Sequence, residues 1–422
     1  MSIARTGRAG PRRDARASIP RPGAWLLLVG LLLSATASCE PAGDASASGV
    51  LVGEDTDGTR LVTGGLPDLE ALPEWTLSAE PTIEIGAVEG APGHDLFNVR
   101  SAFLLSDGRL VIANGGSHEL RIYSATGEHR GGFGGEGGGP GEFTSIQRAD
   151  PVRGDSILVF DQRARRLSLF DGEGAFVSEG RLPAGGVPSF SIATGVLDSG
   201  RTVTLTVAFG EPNGESGLRR DTATVRLHER DGTVVDTLGR LPGTEVVSVQ
   251  AQGLAMITTR AFGRGEFARA GGSTIVLGTN DAYSFEILDE TGAVSARVVV
   301  DVPGCPTTDA EFDEWLESQF DREQDGFREV AREIAAAAPR HETHPPFQTL
   351  DVYRTGDVWI GRRVCGGEAV DFTVFEPDGL PVGRLTLEEG GALLDVGDDY
   401  VAVRVRDELE REIVRVHRLE RP

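Results

Sequence analysis

The stretch Leu110–Phe143, LVIANGGSHELRIYSATGEHRGGFGGEGGGPGEF, decides the fold. An apolar run, Leu110–Ala113, meets a polar turn. A second run, Leu120–Tyr123, ends in Thr126-Gly127, and a third near His129–Gly132 leads into a Gly-rich exit. Just upstream, Ala102–Leu105 and the turn Asp107-Gly108 supply one more strand. Short alternating runs joined by glycine turns read as an antiparallel meander.

The same grammar recurs. From Gly108 to Gly154 is 46 residues, from Gly154 to Gly200 is 46 again, and from Gly127 to Gly174 is 47. A period in the forties with four short strands per unit is what a β-propeller blade requires. Further copies follow around Asp198-Ser199-Gly200, Thr274–Leu277, Leu350–Tyr353 and Leu393–Val396, the third lengthened by a polar insertion at Glu211–Arg220. The last copy stops one strand short. The missing strand stands at the other end, where Thr82–Gly90 precedes the first copy. The expected fold is therefore all-β, a six-bladed β-propeller spanning 58–422 whose N-terminal strand completes the last blade. That closure protects sheet edges.

A different segment, 306–340, interrupts the rhythm between copies four and five. Thr308 and Glu311 have capping-box spacing, and Phe312, Trp315, Leu316 and Phe320 fall on one helical face. Phe327, Val330, Ala331 and Ile334 extend that face past a break at Asp325-Gly326. This reads as a helical insertion over one face of the ring, its aromatics packing against the protein's own body.

The motifs that carry a family resemblance are Ala113–Tyr123 with Gly127, then Gly134–Phe143, and in the second copy Phe160-Asp161 and Arg166–Phe170. They resemble the NHL-type repeat of six-bladed propellers. The likeness is specific over about 97–171 and architectural over about 80–420. It implies a bacterial six-bladed propeller lipoprotein, in a family that contains both scaffolds and enzymes, so fold alone does not assign function.

The N-terminus reads as an address. Six arginines precede an apolar run, Ala24–Leu33, too short to span a bilayer, and small residues lead to Cys39. This resembles the bacterial lipobox, although Thr36 stands where that family has Leu. Residues 1–38 are then a lipoprotein signal peptide, Cys39 is lipidated, and 39–57 form a disordered tether. The alternative is an ordinary signal peptide cut near Ala37. The expected location is the cell envelope, facing the periplasm or the exterior, with membrane contact through the N-terminal lipid only.

Composition narrows the partners. The 41 basic residues are all Arg, against 65 Asp and Glu. Removing residues 1–38 leaves 35 basic against 64 acidic, a net charge of −29. Such a surface argues against nucleic acid, which needs a basic patch. With Cys39 consumed by lipid, Cys305 and Cys365 remain as an even pair, either a disulfide in an oxidising compartment or two free thiols.

Chemistry is sparse. Gly131–Gly141 contains a GxG-like pattern but no following Lys-Ser/Thr and no helix, so it reads as an inter-blade loop. Asn114 and Asp161 hold equivalent places after the second strand of copies one and two. Propeller hydrolases hold a divalent metal, chiefly calcium, with oxygen ligands at such places. The equivalent positions of later copies, taken at Ala208, Gly278, Arg362 or Arg363, and Val405 or Arg406, assemble no ligand set, and turn capping is the plainer role. His341 and His344 sit three apart but precede Pro345, which favours a loop. Two readings stand. One is a non-catalytic, envelope-anchored propeller that binds a protein or small-molecule ligand and needs no cofactor. The alternative is a calcium-dependent propeller hydrolase or lyase acting on lactones, esters or sugar acids, with Asn114 and Asp161 as ligands.

Overall fold

The computed structural model describes residues 49–86, 90–184, 189–208, 217–251, 254–319, 333–334, 337–367, 369–388 and 391–422. The signal segment, Cys39 and the first part of the tether lie outside them, as do Phe320, Phe327, Val330 and Ala331. Among the described residues no helix is long and apolar enough to cross a membrane.

The chain is mostly β and arranged like a propeller. Residues 99–134 form a four-stranded antiparallel sheet in sequence order, and residues 146–181 repeat it. The register repeats as well, Ala102 facing Ile112 and Ala149 facing Val159. Strand position explains the sequence pattern. Leu110–Asn114 is buried along its whole length, so it reads as a continuous apolar run. The outermost strand His129–Gly134 alternates between half-buried and exposed.

Residues 349–387 make a third such sheet. Residues 392–420 make three strands of another, which the N-terminal region completes. Ile83 and Ile85 pair with Val416 and Val414, and Leu77 pairs with Leu419.

Among the described residues hydrogen bonding gives five continuous sheets, not six. The two middle units, residues 189–259 and 266–301, merge through a single parallel bridge between Gly195 and Ala270, and with two N-terminal strands form one 11-stranded sheet. Glycine makes the contact possible: a Cβ at Gly195 would fall 2.0 Å from the Ala270 carbonyl oxygen.

The tether corrects the sequence reading. Leu51–Glu54, expected within a disordered 39–57, is a strand paired antiparallel with Arg60–Gly65. Arg60–Gly65 in turn lies parallel to Val294–Asp301, on the outer edge of that sheet. Val50 and Val62 bury themselves against Ala296 and Val298. Arg297 fastens the turn, pairing with Asp55, with Asp57 at 3.0 Å and with Glu286 at 2.8 Å. Apolar burial and this ion-pair cluster give a Gly- and Asp-rich segment enough contacts to order.

Between the middle and later sheets, Asp309–Gln319 is a helix. Its start is the capping box: Thr308 N–H donates to Glu311 Oε2 at 2.8 Å and Glu311 N–H to Thr308 Oγ1 at 3.2 Å. Trp315 packs with Val247 and Val249 of the long strand Val234–Ala251, so this aromatic faces the protein's own body.

Candidate functional site

Among the described residues six strands line one cavity of about 140 Å³: Val99–Leu104, Ile146–Val152, Ser189–Val196, Glu266–Gly271, Thr349–Val352 and Ala392–Val396. Each junction between consecutive strands carries a polar stitch. Ala149 N–H donates to Ser101 Oγ at 3.0 Å, and Ala193 N–H to Gln147 Oε1 at 3.2 Å. Gly195 bridges to Ala270. Arg269 pairs with Asp351 at 3.1 Å and Arg354 with Asp395 at 3.0 Å. The circuit closes from the last sheet to the first, where Val99 donates to Glu412 Oε2 at 2.7 Å and accepts from Arg404 at 2.9 Å.

The cavity wall is a set of paired charges. Arg148 bonds Asp150 at 2.6 Å within its own strand. Burial works against the Arg148 charge, and Asp150 beside it more than offsets this, so the guanidinium pKa is raised. Arg354 lies over the rings of Phe103 and Tyr400. The Tyr400 hydroxyl donates to Asp395. Burial raises the Asp395 carboxyl pKa, opposed by the Arg354 charge. Burial likewise pushes the Tyr353 and Tyr400 phenols up. Arg100 and Asp198 line the same cavity, are exposed, and make no ion pair among the described residues.

Asn114 and Asp161 sit away from this wall, each at the end of a second strand. Both are fully buried and committed to backbone. Phe97 N–H donates to Asn114 Oδ1 at 2.9 Å, and Asn114 Nδ2 donates to Ser117 Oγ at 2.8 Å. Thr144 N–H donates to Asp161 Oδ2 at 2.6 Å and Ala164 N–H to Oδ1 at 3.0 Å. The device recurs at Asn280, which accepts from Gly265 N–H at 2.7 Å and donates to the Phe347 carbonyl at 3.2 Å. Sequence alignment of the repeats set Gly278 at this place and missed Asn280, which directly follows the strand Thr274–Thr279. Each side chain staples the loop entering an inner strand. The structure does not bring Asn114 and Asp161 together: they belong to different sheets. Among the described residues no group of three or more His, Cys, Asp or Glu is placed to hold a metal ion.

The Gly-rich loop has the wrong polarity for a phosphate. The buried Arg166 donates to the carbonyls of Gly138 at 3.1 Å and Gly139 at 3.0 Å and to that of Glu142, so the loop offers acceptors to a cation. His341 and His344 turn to different carboxylates, Glu245 at 2.7 Å and Glu311 at 3.1 Å. Cys305 and Cys365 are bonded in a disulfide, Cα atoms 5.4 Å apart, at the base of the helical segment.

No family model matches the chain. No curated protein matches it. Solved structures are similar at low identity. A Bacteroides vulgatus member of the DUF4221 family shares 9% identity, with 83% of this chain and 100% of that one covered, at a TM-score of 0.46. A Bacteroides fragilis protein assigned as exported shares 11%, over 86% of this chain and 99% of its own, at 0.45. Virginiamycin B lyase of Staphylococcus aureus shares 9%, over 82% and 99%, at 0.36. Likenesses at these scores transfer no activity to this chain.

Proposed function

We propose that the mature protein is a six-bladed β-propeller of the NHL type, held on the bacterial envelope by a lipid on Cys39, that binds a protein or small-molecule ligand without catalysing a reaction on it. Six blades are counted by taking the merged sheet as two, divided at the Gly195–Ala270 bridge. Support for the count comes from the six strands around one cavity. The address rests on the apolar run and the small residues before Cys39.

The observation that carries the binding reading is how the oxygen groups are spent. Asn114 and Asp161 are taken up by loop N–H groups, and Asp150, Asp351 and Asp395 each face an arginine. Arg100 and Asp198 are the charged groups that the cavity leaves for a ligand. One feature favours the second reading, a hydrolase or lyase: Asp395 is a buried carboxyl beside a cavity whose pKa burial raises, the setting in which carboxyl groups transfer protons.

Two experiments test the proposal. The mature protein, incubated with lactones, esters and sugar acids with and without calcium, is expected to give no turnover above buffer. Turnover abolished by Asp395→Asn or Asp161→Asn would replace the first reading with the second. Labelled palmitate is expected to enter the wild-type precursor and not the Cys39→Ala variant; equal labelling would remove the anchor.

A further inference from the structure

We propose that the cleft between the segment Leu182–Ala184 and the sheet beginning at Ser189 is a binding site for a small organic oxyanion, held by Arg226 and the hydroxyls of Ser191 and Thr206. The site is separate from the cavity lined by Arg148 and Arg354 and does not depend on the function proposed above.

Register puts the residues on one face. Ser191 lies opposite Thr206, Thr204 opposite Arg226, and Thr202 opposite His228. Side chains alternate along a strand, so these positions share one side of the sheet. The other side is apolar: Val203, Leu205, Val225 and Leu227 join a core with Ala268 and Leu277. The neighbouring sheet faces the polar side with Leu158, Phe160 and Leu167, which pack with Leu182. A wall of hydroxyls, imidazole and guanidinium thus meets an apolar wall. On the polar side lies a cavity of about 250 Å³, whose apolar lining is Leu182, Pro183 and Ala184, the segment that follows the neighbouring sheet.

Among the described residues the charge of that cavity has no counter-charge. Arg226 is half-buried and lines it, and among the described residues it makes no hydrogen bond or ion pair. Among the described residues no carboxylate lines the cavity. Acidic residues outnumber basic ones 65 to 41 in this chain, and Arg148 and Arg354 of the other cavity each pair with an aspartate, whereas among the described residues Arg226 does not. An anion would give Arg226 a charge-assisted hydrogen-bond partner.

The hydroxyls complete the fit. Ser191 Oγ and Thr206 Oγ1 are 2.9 Å apart, so one donates to the other and one O–H is left to donate to a ligand. Behind them His228 is neutral. Burial lowers its pKa, and its Nδ1–H donates to the Gly232 carbonyl at 3.1 Å. Its Nε2 therefore accepts the Thr204 hydroxyl proton at 2.9 Å, which leaves Thr204 oxygen lone pairs toward the cavity. The ligand class is a carboxylate or phosphate ester small enough for this volume, with an apolar or hydroxyl-bearing remainder against Leu182 and Thr204.

The test is titration of the mature protein with inorganic phosphate and with succinate at constant ionic strength, read by calorimetry and by arginine Nε nuclear magnetic resonance. Saturable binding of either probe is expected, weakened at least about tenfold by Arg226→Gln and unchanged by Arg130→Gln on the surface. Binding of phosphate alone assigns a phosphorylated ligand, and binding of succinate alone a carboxylate. Failure of both probes to saturate the wild-type protein overturns the proposal, as does binding that a folded Arg226→Gln variant retains in full. If Arg226→Gln does not fold, Ser191→Ala and the Arg226 Nε resonance decide: no shift of that resonance on saturation overturns the site.

Discussion

Asp161 Oδ2 accepts the backbone N–H of Thr144 at 2.6 Å, across 17 residues of sequence. A carboxylate at the end of one strand thereby fixes the loop that enters the inner strand of its own sheet. Asn114 does the same for Phe97, and Asn280 for Gly265. The side chains that a sequence search marks as possible ligands are joints of the ring.

Asp161→Ala leaves Thr144 and Ala164 N–H groups without their acceptor, and about 2–4 kcal/mol of stability is expected to go with them. Asn280→Ala is expected to cost about 1–2 kcal/mol by the same reasoning. Asp161→Asn keeps one carbonyl acceptor and costs less than Asp161→Ala. Urea denaturation of the three variants measures this order; an Asp161→Ala variant as stable as wild type would contradict the staple.

The disulfide between Cys305 and Cys365 closes a loop with a sequence separation of 60, enough for about 4 kcal/mol by loop entropy. A reductant is expected to lower the melting temperature, and a Cys305→Ser/Cys365→Ser double variant to reproduce the reduced value without further response. An unchanged melt under reduction contradicts this.

Closure of the ring rests on Ile85, fully buried and paired with Val414. Ile85→Ala is expected to cost about 2–4 kcal/mol by lost burial and cavity formation. Glu84→Ala, exposed on the same strand, is expected to cost less than about 1 kcal/mol, since surface ion pairs contribute little. Equal effects would mean that the N-terminal strand does not seal the core.

Burial raises the Asp357 carboxyl pKa, with the Thr355 hydroxyl opposing. A carboxyl whose folded pKa is raised favours folding while protonated, and its ionisation counts against the fold as pH rises from its unfolded value through its folded one. Asp357→Asn is therefore expected to gain stability relative to wild type between acidic and neutral pH, with no gain below the unfolded pKa. Paired melts across that range check the sign; a gain largest at low pH would contradict it.

Much of the fold was legible because a propeller repeats its turns. Asp107-Gly108 and Thr126-Gly127 mark hairpins wherever they recur, and the strand near Ile83–Ile85 echoes the exit of the first repeat. The capping box of Thr308 and Glu311 is local, and sequence spacing suffices for it. Other features depend on meetings between distant residues. Arg269 reaches Asp351 across 82 positions, and nothing local announces the pair. The strand Leu51–Glu54 hid in a Gly- and Asp-rich segment whose order comes from Arg297 and a distant sheet edge. Asn280 stands two positions past Gly278, where the repeat spacing places its equivalent. The merged sheet turns on one glycine contact that the repeat spacing cannot show.

The most direct test of the binding reading is the divalent-metal content of the mature protein purified without chelator, together with its melting temperature in added calcium. Asn114 and Asp161 as loop staples predict no stoichiometric ion and a melt that millimolar calcium leaves unchanged. One divalent ion per chain, lost in Asp161→Asn along with the calcium response, would contradict the account and make the protein a metal-dependent propeller.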